Sequence, residues 1–312
     1  MEELLRRFLP IFLLMAIGFF AKQKKLFPGH FIEGLKSLII HVALPAVLFD
    51  AFSTMELQVS YLWLFALVFA YLCLLYLCGG GLRRLFPRTF GMRHTSGYMT
   101  GFEFGMIGVG LFGAIWGMDA LPVIILIAFG HELFIWFFYV PLISRSADRS
   151  FHLRETLGQL MKMPTIIAII LGVAVNLTGV RPLLTANVIG QSLFAVIEFL
   201  KPVVSPLILI VIGYTMVFRR TDTGRTAAYI LARIALVLGL GVVTLLAVTR
   251  LIPGLGTPVF VQAFFAFILL PAPYILPLYI RDRAEADFFT QLLVYSTVVS
   301  LAGYGILIGL SF

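Results

Sequence analysis

Apolar runs of about twenty residues follow one another along the whole chain, separated by short clusters of charged, glycine and proline residues. A helix needs roughly 20 apolar residues to cross the hydrocarbon of a bilayer. The pattern therefore predicts ten spanning helices, near residues 4–22, 33–54, 59–80, 95–117, 120–143, 158–178, 188–218, 225–249, 258–280 and 287–311. The connections are short and leave no room for a separate soluble domain.

Composition points the same way. Of the 312 residues, 61% are apolar and 12% charged, and the mean hydropathy is +1.03. Soluble domains carry about 45–50% apolar and about 25% charged residues. One water-soluble core cannot hide this much apolar side chain, which excludes a cytosolic enzyme, a nucleic-acid binder and a secreted disulfide scaffold. Cys73 and Cys78, five apart in one apolar run, have no metal-ligand spacing. The basic start (Arg6, Arg7) and the apolar run after it look like a signal peptide. Lys22, Lys24 and Lys25 follow where a small-residue cleavage site would be needed, so the run is expected to be retained as the first span.

The formal charge of +8 changes the picture only through its distribution. Four basic residues (Arg6, Arg7, Arg181 and Arg250) lie at the N-terminus and in the even-numbered connections. Seventeen lie in or beside the odd-numbered ones, among them Lys24, Arg83, Arg93, Arg149, Arg154, Arg219 and Arg220. Basic loops face the cytoplasm. The expectation is a multi-pass protein of the cell membrane with both termini extracytoplasmic.

A duplication is also visible. Pro10, Gly18 and Pro28 have the same spacings as Pro164, Gly172 and Pro182, and Ser37-Leu38 is matched by Ser192-Leu193. The expected division is a first five-helix repeat over 1–150 and a second over 151–312. Five is odd, so the second copy must be inverted in the membrane, a construction of many secondary transporters.

Charged groups at mid-depth cost about 2.5–3.5 kcal/mol each on insertion scales, so each asks for an explanation. His41 and Pro45 fall there in the second span, Glu103 in the fourth, His131 and Glu132 in the fifth. Glu198, Lys201, Pro202 and Pro206 do so in the seventh, and Pro271, Pro273 and Tyr274 in the ninth. The fourth span carries seven glycines between Gly97 and Gly117, and Pro271-Ala272-Pro273 interrupts the ninth. Close helix packing is one explanation of the glycine pattern. The other is an unwound crossover over 105–110, opposite a break at the prolines. Broken backbone at this depth is tolerated where protein or a watered cavity satisfies it. Glu198 and Lys201 are one helical turn apart, which favours their pairing; the alternative is that Lys201 binds an anion. Arg233 and Asp50 fall near span ends and are expected to snorkel.

Gly18-Phe-Phe-Ala-Lys, then Leu38-Ile-Ile-His-Val-Ala-Leu-Pro45-Ala-Val-Leu-Phe, resembles the opening of the auxin efflux carrier family. Met163-Pro-Thr-Ile-Ile-Ala-Ile-Ile-Leu-Gly172, Pro202, Pro206 and Gly213 are similar to its sixth and seventh spans. Leu270-Pro271-Ala272, Ala284-Glu285-Ala286-Asp287 and Tyr295-Ser296-Thr297-Val298-Val299-Ser300-Leu301 resemble its ending. The resemblance covers essentially the whole chain. It implies an all-α fold of ten helices in two inverted repeats, with broken, crossed fourth and ninth helices framing a small organic anion. It also implies one body of helices one, two, six and seven, and another of three to five with eight to ten. The short connection from 144 to 159 resembles the bacterial type. Gly108-Val109-Gly110 stands where the family commonly has Gly-x-Pro, and Glu103 where many members have Asn.

Together these readings give an expected secondary carrier of a small mono- or dicarboxylate, working by alternating access. Substrate-binding candidates are Glu103, Gly105, Gly108, Gly110, Pro271, Ala272, Pro273, Tyr274, His41, Pro45 and Lys201. Ion-coupling candidates are Glu103, His131 and Glu132. The expected partners are the organic anion, a proton (with Na⁺ as the alternative) and the bilayer, with no nucleic acid; a homodimer is compatible with the sequence. No cofactor or metal is expected. A sodium-coupled symporter of the bile-acid type and a non-transporting sensor on the same scaffold are the rival readings. Enzyme activity is not expected: His131-Glu132 is followed by Ile135 rather than the second His of a His-Glu-x-x-His motif, and no Gly-x-Ser-x-Gly elbow exists.

Overall fold

The computed structural model describes residues 2–55, 57–146, 158, 161–218 and 222–311. Arg149, Arg154, Arg219, Arg220 and most of the 144–159 connection lie outside them. Among the described residues the protein is all-helical and without strands, as expected of an all-α membrane protein. Seven helical segments among the described residues are long and apolar enough to cross a membrane: α2 (His30–Thr54), α3 (Tyr61–Leu85), α4 (Thr95–Trp116), α5 (Met118–Ile143), α7 (Val188–Thr215), α8 (Thr223–Leu251) and α10 (Arg283–Gly309). Three shorter apolar helices occupy the other expected places: Leu9–Gln23 within α1 (Glu2–Gln23), α6 (Pro164–Thr178) and α9 (Pro258–Ile268).

The helix ends follow local chemistry. Pro164 and Pro258 open α6 and α9 at positions whose amides have no partner within the helix. The side chains of Asn187, Asp222 and Thr257 accept from Gly190, Arg225 and Phe260 amides and so start α7, α8 and α9. Gly179, at φ 63°, ends α6 in the left-handed conformation.

Two of these helices are interrupted. In α4 a five-residue turn (Thr95–Met99) is followed by irregular chain and then by a π-helical turn (Phe104–Gly108) leading into Val109–Trp116. The unwinding therefore falls over 100–103, not over 105–110 as expected. Gly101 takes φ 74°, and a Cβ built on it would stand 2.8 Å from Pro273 Cγ. That combination of backbone and contact sets the break there. Gly105, Gly108 and Gly110 are helical, and the Gly108 amide is spent on the Glu103 carbonyl at 3.1 Å. Helix α9 stops at Ile268, short of the expected 280. The chain beyond is irregular except for a 3₁₀ turn, Leu276–Tyr279.

The chain divides into two compact units. The first comprises Met1–Val59, Val109–Pro122 and Leu153–Met216, and so holds α1, α2, α6, α7 and the second part of α4. The second comprises Ser60–Gly108, Val123–His152 and Val217–Phe312, with α3, the first part of α4, most of α5 and α8 to α10. The division parts α4 between Gly108 and Val109, whereas the resemblance implied that α4 would go whole with α3 and α5.

In the first unit α1 packs on α7 and α6 packs on α2. The closest approaches are glycines against backbone. A Cβ on Gly18 would collide with the Ile210 carbonyl oxygen and stand 2.8 Å from the Tyr214 nitrogen. One on Gly172 would stand 2.7 Å from the Phe49 oxygen and 3.3 Å from the Ser53 nitrogen. Each glycine thus faces the oxygen of one residue and the nitrogen of the residue four further on. The Asn176 amide binds the Phe52 and Met55 carbonyls at 2.9 and 2.6 Å, finishing α2. In the second unit the core is aromatic: Tyr71, Tyr98, Phe102, Tyr229, Phe267 and Phe289 are almost wholly buried.

Candidate functional site

The two interrupted segments meet within the second unit. The Glu103 amide donates to the Pro271 carbonyl at 2.9 Å, and the Tyr274 amide donates to Glu103 Oε2 at 2.8 Å. These bonds cross-link the broken part of α4 to the chain after α9, so the Glu103 and Tyr274 amides are each satisfied by the opposite break. Glu103 stands immediately before the π turn at 104–108, where a carboxylate complements the positive end of a helix. Tyr274 Oη lies 2.5 Å from Thr297 Oγ1, which itself donates to the Leu293 carbonyl of α10.

His131 supports the same break from α5. Its Nε2 accepts the Phe102 amide at 2.9 Å. A neutral ring that accepts there carries its proton on Nδ1. Nδ1 lies 3.3 Å from Glu132 Oε1 but out of line for a hydrogen bond. Glu132 Oε2 accepts from Trp136 Nε1 at 3.0 Å and keeps 30% of its side chain exposed.

Arg233 of α8 was expected to reach for the membrane surface; instead it is buried at the crossover. Its Nη1 donates to the Tyr98 carbonyl at 2.6 Å, and Nη2 donates to the Gly101 carbonyl at 2.7 Å and the Leu270 carbonyl at 3.5 Å. A span-position argument could not find it, because the carbonyls it serves are free to accept only once both helices are broken.

Around this knot some surface stays open. Glu103 is half-buried, whereas Gly105 and Tyr274 are exposed, and a Cβ on Gly105 would meet nothing within 4 Å. Pro271, Ala272 and Pro273 are buried behind them. Gly108 is also buried, against the Phe104 ring and Leu270. A cavity of about 900 Å³ opens between α8, α9 and α10; its walls are mainly apolar, with Tyr98, Arg233, Ser296 and Ser300 among the lining.

The other candidates belong to the first unit. Gly110 packs on Ile208 of α7. His41 is exposed within a π turn (Ile39–Ala43), its Nδ1 2.9 Å from the Ser37 carbonyl, and Pro45 follows in the next turn. Lys201 does pair with Glu198, at 2.6 Å, and equally with Asp50, at 2.6 Å. Asp50 does not snorkel: it is 6% exposed and also takes Arg181 at 2.6 Å, while Arg181 binds Ser53 as well. This second polar cluster is not legible from span position, because depth alone puts Asp50 at a span end and says nothing of its partners. Among the described residues no group of three or more His, Cys, Asp or Glu side chains is arranged to hold a metal ion. Neither a family model nor a curated protein matches the chain.

Proposed function

We propose that the protein is a secondary carrier for a small organic anion, a mono- or dicarboxylate, belonging to the auxin efflux carrier family in its bacterial form. In this reading α1 to α10 are ten spans in two inverted five-helix repeats of a cell membrane, with both termini outside. The matched seating of Gly18 on α7 and Gly172 on α2 supports the repeat: residues at equivalent places in the two copies meet the same pair of backbone atoms. Transport proceeds by alternating access, with a proton as the coupling ion.

The observation that carries the reading is the hydrogen-bonded crossing of two interrupted segments around Glu103 and Tyr274. Discontinuous helices at mid-depth are where transporters hold substrate and ion. The exposed edge formed by Glu103, Gly105 and Tyr274 offers polar and aromatic groups to a guest, and protonated Glu103 would donate to a carboxylate rather than repel it. The experiment is a thermal-shift screen of small carboxylates on the purified protein and on Glu103→Gln, followed by uptake into proteoliposomes. Stabilisation by at least one acid together with its flux supports the carrier. Saturable binding with no net flux supports the sensor instead, and no stabilisation in either form removes the anion reading.

A further inference from the structure

The crossing makes an electrostatic demand of its own. The last carbonyls of a helix find no amide within it, and the end bears a partial negative charge. Two such ends, those of Thr95–Met99 and Pro258–Ile268, are gathered here. Carriers that couple to alkali cations hold the ion on unwound carbonyls and half-helix C-terminal ends of this kind. In this protein the Tyr98, Gly101 and Leu270 carbonyls converge on a single guanidinium. That group is closed in by the rings of Tyr98 and Phe102, at 5.5 and 5.2 Å from their centroids.

We infer that Arg233 is the resident cation of the crossover: its guanidinium fills the carbonyl cage that would otherwise take a dissolved alkali ion, so the protein has no sodium requirement. The chemistry suits the task. A guanidinium keeps its charge, and its planar fork reaches carbonyls on two different segments at once, whereas an ammonium offers one compact point of charge. A cation anchored to α8 also cannot leave during a cycle, so it fixes the crossing rather than driving it. This deepens the carrier proposal by naming what the coupling ion is not. The claim about the cage itself is tested without transport.

The test is the melting temperature of the purified protein in sodium, choline and guanidinium chloride at one pH and ionic strength. The wild type melts alike in sodium and choline. Arg233→Ala melts lower by about 5 °C or more, the shift expected of roughly one or two lost buried hydrogen bonds. Millimolar guanidinium restores most of that loss, sodium restores less, and choline, which has no N–H donor, restores none. Arg233→Lys keeps the charge but not the fork and falls between, so it substitutes if Arg233→Ala does not fold. Saturable stabilisation of the wild type by sodium overturns the inference. So does an unchanged melting point for Arg233→Ala, or recovery that choline matches or that neither other cation gives. Acid flux alongside sodium-saturable wild type would sink this inference alone; sodium indifference without acid binding or flux would sink the carrier reading alone.

Discussion

Phe102 has one amide proton, and the buried His131 ring receives it at 2.9 Å. A buried donor left without a partner costs about 1–3 kcal/mol, more than a satisfied bond contributes on average. His131→Phe, which fills the space but accepts nothing, should lower stability by about that amount; His131→Gln, which retains an acceptor, should lose less. Melting of both variants in one detergent reads the difference. Asp50 answers to a different balance. Taking one partner from a fully buried ion pair costs about 3–5 kcal/mol. Here Lys201 retains Glu198, and Arg181 keeps 28% of its side chain exposed. Asp50→Asn is therefore expected to cost less, about 1–3 kcal/mol. Adding Lys201→Met should recover part of the loss, because it removes the charge left under-compensated. A double-mutant cycle measures that coupling.

Helices show why some features are legible and others are not. Prolines at 271 and 273 remove amide donors wherever they stand, so the interruption of α9 could be read directly from the chain. The interruption of α4 could be read only as a region. Any of seven glycines permits it, and the tertiary seat of Gly101 against Pro273 decides which one uses the permission. Arg233 and Asp50 failed for a related reason. Depth along a span says where a charge would emerge, not whether another helix has brought it partners. The seating of Gly18 and Gly172 gives the element-scale prediction. Gly18→Val and Gly172→Val should each force apart one helix pair, α1 from α7 and α6 from α2. Overpacking costs typically about 1–3 kcal/mol, and rigid backbone on the facing side puts these two at or above the upper end. Similar losses of melting temperature in the two variants are expected, with Gly18→Ala already destabilised.

For the whole molecule, orientation is the property the charge pattern specifies most sharply. Lys24 belongs to the basic side and Arg250 to the other. With Cys73 and Cys78 replaced, Lys24→Cys should resist a membrane-impermeant thiol reagent in intact cells and react after permeabilisation. Arg250→Cys should react in both. The reverse pattern would invert the topology and place both termini inside.

One property of the stretch after α9 bears on how its motion is to be observed. Residues 269–280 include Pro271, Pro273 and Pro277, which have no amide hydrogen, whereas the Tyr274 amide, held by Glu103, exchanges only when that bond opens. Deuterium uptake therefore reads the loosening of the crossing at Tyr274 and is silent at the three prolines. Carbon-13 labelling of the Leu270, Tyr98 and Gly101 carbonyls, read as shifted amide infrared bands, follows the oxygens instead, and their bonds to the guanidinium are what changes if the knot loosens.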